Sequence, residues 1–171
     1  MKKYNIAIIP VNQSKAFTAF SQKFTWLDPV YHLGEKSLPH ITICQFYRDE
    51  NEIENTWKDI CIKISDYSLD LKFTGFSFIT FDNNIFWISL MPDDVSELHK
   101  LQSEIAVVLD VSNKRPYDPH LTLIGTLDST YESKSALLTK EYSPISDKFV
   151  LALGECDELG QFIRVIYRAM I

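Results

Sequence analysis

The chain has 171 residues, of which 46% are hydrophobic and 23% charged; this is the composition of one compact globular unit and excludes a disordered or fibrous protein. Its 17 basic and 23 acidic residues give a formal charge of −6, the wrong sign for a protein that grips duplex nucleic acid by neutralising many phosphates. The 3 cysteines (Cys44, Cys61, Cys156) are odd in number and lack C-x-x-C spacing, so neither a disulfide framework nor a thiolate metal site is expected, and the first apolar run is too short for a signal core or a membrane span.

In chain order, Tyr4-Asn5-Ile6-Ala7-Ile8-Ile9-Pro10 is a short apolar run stopped by proline and predicts the first strand. Residues 12–26 follow with a helical pattern, and a loop containing Gly34 leads to Leu38-Pro39-His40-Ile41-Thr42-Ile43. Residues 49–64 predict an amphipathic helix with Ile53, Trp57, Ile60, Cys61 and Ile64 on one face. A strand through 69–76 closes the first half.

The second half replays this order. Residues 85–92 predict a strand ended by Pro92, and Asp93 or Asp94 can cap a helix whose apolar positions include Val95, Leu98, Leu101, Ile105 and Val108. Tyr117-Asp118-Pro119-His120-Leu121-Thr122-Leu123 comes next, then a short helix near 130–138, a strand through 149–154 and a last strand through 162–167. Pro92 follows Pro10 by 82 residues, His120 follows His40 by 80, and Gly154 follows Gly75 by 79. Landmarks whose offsets agree within three residues mark an internal repeat. The expected fold is α+β: one domain of two pseudo-two-fold-related lobes, roughly 1–80 and 81–171, with terminal strands able to cross between them. Each lobe is expected to be an antiparallel or mixed sheet with helices on its outer face, and the active cleft is expected between the lobes.

Two of the 4 histidines, His40 and His120, are followed two positions later by threonine and preceded by proline. Side chains alternate along a strand, so His40 and Thr42 share one face while Ile41 and Ile43 anchor the other; His120, Thr122, Leu121 and Leu123 repeat the pattern. Imidazole serves as acid or base near neutral pH, so two of them can activate an attacking oxygen and protonate a departing one. Threonine hydroxyls can hold the non-bridging oxygens of a phosphate between them. This chemistry asks for no metal, and the histidine spacing offers no zinc site.

These paired motifs resemble those of the two-histidine (2H) phosphoesterase superfamily, which includes bacterial 2′,5′-RNA ligase-like proteins and plant and fungal cyclic phosphodiesterases. The signature is two His-x-Thr/Ser-x motifs about eighty residues apart, and 39–43 and 119–123 match both copies. The resemblance implies a bilobal α+β fold, His40 and His120 as the acid/base pair, Thr42 and Thr122 as phosphate ligands, no cofactor, and opening of a 2′,3′-cyclic or related ribose cyclic phosphate to a monoester. His120 is taken as the base activating water and His40 as the acid on the leaving oxygen. Ligase-like members often carry an arginine just after the second motif, where this chain reads Leu123-Ile124-Gly125-Thr126; Lys36, Lys114 and Arg115 are candidates to supply charge instead. Tyr117 is a candidate to stack on a base.

The expected partner is therefore a small cyclic nucleotide or an RNA 3′ end, taken up by a monomer in the cytoplasm, with neither duplex nor membrane involved. Two alternatives stand beside it: a nucleotide-binding module with little turnover, and a 2′,5′-RNA ligase or 2′,5′-phosphodiesterase on the same site.

Overall fold

In the computed structural model, which describes residues 1–34, 36–64, 67–80, 84–112 and 116–169, eight strands and four α-helices alternate along the chain. They are β1 (Lys2–Pro10), α1 (Ser14–Gln22), β2 (Pro29–His32), β3 (Ile41–Arg48), α2 (Ile53–Lys63), β4 (Ser68–Thr80), β5 (Phe86–Pro92), α3 (Ser96–Leu109), β6 (Leu121–Thr126), α4 (Tyr131–Lys140), β7 (Ile145–Cys156) and β8 (Phe162–Arg168). All pairings are antiparallel, and they join the two lobes into one continuous sheet.

The first lobe places β1 between β3 and β7, with β8 beyond β7; the second places β5 between β6 and β4, with β2 beyond β6. The equivalence is β1 with β5, β3 with β6 and β7 with β4. The lobes meet twice, and each meeting obeys the sequence offset. Ile41 pairs with Leu121, its own counterpart 80 residues on, so the pseudo-dyad passes between these two residues. On the far side, Leu69 pairs with Phe149 and Asp70 with Lys148.

β1 is buried from Tyr4 to Pro10 because sheet neighbours flank it and other elements cover both its faces, which explains its near-continuous apolar sequence. The core joins Tyr4, Ile6 and Ile8 to Phe17, Phe73 and Phe149, whose rings meet at 5.3–6.0 Å. Helices exchange between the lobes: α1 packs on β6, and α3 packs on β3. Buried Ser21 on α1 donates to the Leu123 carbonyl at 2.7 Å, and Gln102 at the matching place on α3 reaches Cys44 Sγ at 3.8 Å.

The expected elements differ from these mainly at their ends. The helical reading of 12–26 resolves into α1 and a 3₁₀ turn at Thr25–Leu27, where Thr25 Oγ1 bonds back to the Gln22 carbonyl. The segment around His32, read as loop, is strand β2, which pairs with β6. Its four residues were too few for a periodic signal. The cap of α3 falls at Val95, which makes no side-chain capping bond, rather than at Asp93 or Asp94; Asp94, just ahead of it, accepts from the Ser96 N–H at 2.9 Å.

Candidate active site

Each histidine stands one residue before a strand rather than within it: β3 opens at Ile41 and β6 at Leu121. Proline has no N–H to give a ladder, so buried Pro39 and Pro119 delay pairing and hold the chain extended up to the histidine. The imidazoles are then locked in the same way in both lobes. His40 Nδ1 lies 2.7 Å from the Leu38 carbonyl, and His120 Nδ1 lies 2.7 Å from the Asp118 carbonyl. A carbonyl can only accept, so Nδ1 carries the proton and Nε2 is left for chemistry in each neutral ring.

One residue after each threonine the strand register slips. Ile6 pairs with Cys44 but Ala7 with Thr42, leaving Ile43 unmatched; Ile88 pairs with Ile124 but Ser89 with Thr122, leaving Leu123 unmatched. A bulge turns the flanking side chains and sharpens the local twist. It tucks Ile43 and Leu123 into the core, at 2% and 0% exposure, while Thr42 and Thr122 line the pocket.

That pocket has a volume of about 210 Å3 and is lined by Tyr31, His40, Thr42, Gln45, Trp87, His120, Thr122, Leu159 and Gly160. All four residues of the paired motifs thus meet in one cleft. Thr42 is further positioned by Asn5, a fully buried amide on β1 whose Nδ2 donates to Thr42 Oγ1 at 2.9 Å. With its acceptor site filled this way, the Thr42 hydroxyl keeps its own hydrogen for an oxygen in the cleft.

The two histidines sit in different surroundings. His40 is 6% exposed, with the Phe162 ring centroid 5.1 Å from its own. Burial holds its pKa down to about 4; the Leu38 carbonyl opposes the shift and the charge of His120 adds to it. His120 keeps 31% of its side chain exposed, and the Asp118 carboxylate lies 3.9 Å from its Nδ1, placed to offset positive charge on that ring. Among the described residues the lining holds no lysine or arginine, and no three His, Cys, Asp or Glu side chains gather closely enough to hold a metal ion.

The other candidates fare differently. Tyr117 is not among the residues lining the pocket: its hydroxyl donates to the Thr42 carbonyl at 3.0 Å, and its ring stands edge-on to His99 at 5.4 Å. The phenol expected to stack on a base instead braces β3, with its ring against His99 of α3. Lys36 is exposed in the loop before β3 and does not line the pocket. Lys114 and Arg115 lie outside the described residues. Sequence reasoning passed over Asn5, Gln45, Tyr31 and Trp87. For Asn5 a signal existed, a lone amide inside an otherwise apolar strand; for Trp87 the repeat itself was the signal, since it stands 82 residues after Asn5.

Solved structures with this architecture include Escherichia coli LigT complexed with 3′-AMP (TM-score 0.61, 12% identity, 99% of both chains covered) and Kluyveromyces marxianus Usb1 (0.56, 9%, 98% of this chain and 97% of that one). A further phosphoesterase matches with a TM-score of 0.53 and 12% identity over 98% of this chain and 94% of the other. No family model and no curated protein sequence matches the chain. The likeness is one of fold over nearly the full length, and the chain accordingly has the two-lobed, LigT-like architecture found among two-histidine phosphoesterases.

Proposed function

We propose that this protein is a phosphodiesterase that opens a ribose 2′,3′-cyclic phosphate, on a nucleotide or an RNA 3′ end, to a monoester by His/His acid–base catalysis. One observation carries the reading: two imidazoles and two threonine hydroxyls share one cleft, each ring held through Nδ1 on a backbone carbonyl so that Nε2 is unprotonated in the neutral ring. The structure of LigT with 3′-AMP supports a nucleotide monophosphate as a ligand for this architecture.

The surroundings of the histidines favour the reverse of the roles expected from the sequence. His40 is held unprotonated by burial and so stands ready as the base; His120, more exposed and with the Asp118 carboxylate 3.9 Å from its Nδ1, is assigned as the acid. In this scheme a water oxygen attacks phosphorus as His40 Nε2 takes its proton. The ester P–O bond opposite breaks, and the leaving ribose oxygen receives the proton from His120 Nε2. Thr42 and Thr122 donate to the non-bridging oxygens as charge builds there. No step needs a metal.

The test is turnover of 2′,3′-cyclic AMP and of a short RNA with a cyclic-phosphate end, in EDTA, by wild type, His40→Ala and His120→Ala. Monoester formed by wild type and reduced about 10²–10⁴-fold in both variants is the expected result. Turnover that vanishes on chelation, or survives in either variant, sinks the proposal.

A further inference from the structure

The pseudo-dyad makes the two walls of the pocket comparable position by position, and they differ at one cross-strand pair. In the first lobe Asn5 on β1 faces Gln45 on β3; in the second, Trp87 on β5 faces Gly125 on β6. Gln45 and Gly125 each stand five residues after their histidine. At this pair the first lobe carries amides, of which Gln45 lines the pocket while buried Asn5 holds Thr42, and the second carries an indole over bare backbone.

Gly125 makes the second wall possible. A Cβ there would lie 2.7 and 2.8 Å from two carbons of the Trp87 ring, closer than carbon atoms approach. β2 adds Tyr31 opposite the same glycine, and its ring meets Trp87 edge-to-face at 5.5 Å. Tyr31 is fixed in turn by a 2.9 Å hydrogen bond to Ser37. The indole is therefore wedged in place by packing, and nothing else holds it: Trp87 Nε1 is shielded from solvent with no hydrogen-bond partner among the described residues. An unpaired buried N–H is a cost that phenylalanine or leucine would avoid at this position. What tryptophan adds over them is the breadth of its flat surface, and that surface lines the catalytic pocket.

We propose that Trp87 is a specificity-determining residue that packs against a planar heterocyclic base beside the scissile phosphate. The pocket then prefers nucleoside cyclic phosphates to cyclic phosphates of a bare sugar, and its asymmetric walls fix which way the substrate lies across two near-equivalent histidines. This rests on the phosphodiesterase reading only for its reaction; the base preference is a property of binding and is testable without turnover. Base-on-aromatic packing of this kind is worth about ten-fold or more in affinity.

Two probe pairs decide it: adenosine 3′-monophosphate against 1-O-methylribose 3-phosphate by calorimetry, and their 2′,3′-cyclic forms by turnover. Wild type should bind the nucleotide about ten-fold or more tightly than the sugar phosphate. Trp87→Phe should keep most of that preference, and Trp87→Leu should bring it within about two-fold in a protein that still folds cooperatively, with a lowered melting transition from the lost packing on Tyr31 and Gly125. Equal affinities in wild type, or a preference that survives in Trp87→Leu, overturns the proposal. Base-selective binding without any turnover supports it while defeating the hydrolase reading.

Discussion

The first lobe and the second present the same His-Thr pair, yet they bury it to different depths. Over His40 the chain brings the β7–β8 hairpin: Leu38 N–H donates to the Phe162 carbonyl at 2.9 Å, and the Phe162 ring packs beside the imidazole. Over His120 no equivalent hairpin lies among the described residues: β4, the counterpart of β7, pairs with β5 and β7, and the extra strand of that lobe, β2, lies instead beyond β6. A duplicated motif has become two unlike groups, one dry and neutral and the other wetter and flanked by a carboxylate. Function in a pseudo-symmetric site follows from such differences, since perfect symmetry would leave acid, base and substrate direction undecided.

The sharpest way to break this comparison is to remove the need for one histidine at a time. An acid is dispensable when the leaving group departs unaided, whereas a base is not. On a ribose cyclic phosphate, both alanine variants should lose about 10²–10⁴-fold in kcat/KM. On a nitrophenyl phosphodiester, His120→Ala should recover most of that loss and His40→Ala should not. Recovery in His40→Ala instead would return the roles to those expected from the sequence.

The walls can be compared by their glycines, with a smaller effect. At Gly154 on β7 a Cβ would meet the Arg164 carbonyl oxygen at 2.3 Å and the Phe162 ring at 2.4 Å. Gly154→Ala must therefore push β7 and β8 apart, at a cost of about 3 kcal/mol, and would disturb the hairpin over His40. Gly125→Ala meets chiefly a side chain, the Trp87 ring, which can shift; about 1–2 kcal/mol is expected. Urea unfolding of the two variants measures both, and a reversed order would show that the second wall is the more rigid.

The smallest effect is in the acid limb of the pH profile. In the proposed role of base His40 must be unprotonated, and in the folded protein burial delays its protonation until the pH falls to about 4. Between pH 7.5 and 5.5, kcat/KM should then fall no more than about two-fold on this account, where an imidazole of ordinary pKa would cost about ten-fold. A ten-fold fall in that interval would mean that His40 is far better solvated than its burial suggests.

Much of this arrangement was legible in residue order because it depends on local rules. The apolar runs 4–10 and 85–92, each stopped by proline, and the helical spacing of Ile53, Trp57 and Ile60 mark their elements through local rules alone, and all three of these helix residues are buried. The repeat was legible because two halves built alike keep their landmarks at nearly one offset. Tyr117 and Trp87 show where that reasoning stops. Both are aromatic residues near the motifs, and their sequence neighbourhoods do not tell which one faces the pocket. Tyr117 is turned aside by α3 and Thr42, while Trp87 is held at the cleft by Gly125 and Tyr31, which come from two other strands.

The amino-acid order by itself determined most of the elements, the duplication and the two His-Thr pairs, since propensity, periodicity and side-chain type act within a few positions. The tertiary structure decided what depends on partners distant in the chain. It closed the sheet through Ile41 and Leu121 so that the motifs meet, slipped the register behind each threonine, and buried one histidine under β8 while leaving its counterpart beside Asp118. Those partners set solvation and orientation, and solvation and orientation are what make two identical imidazoles unlike.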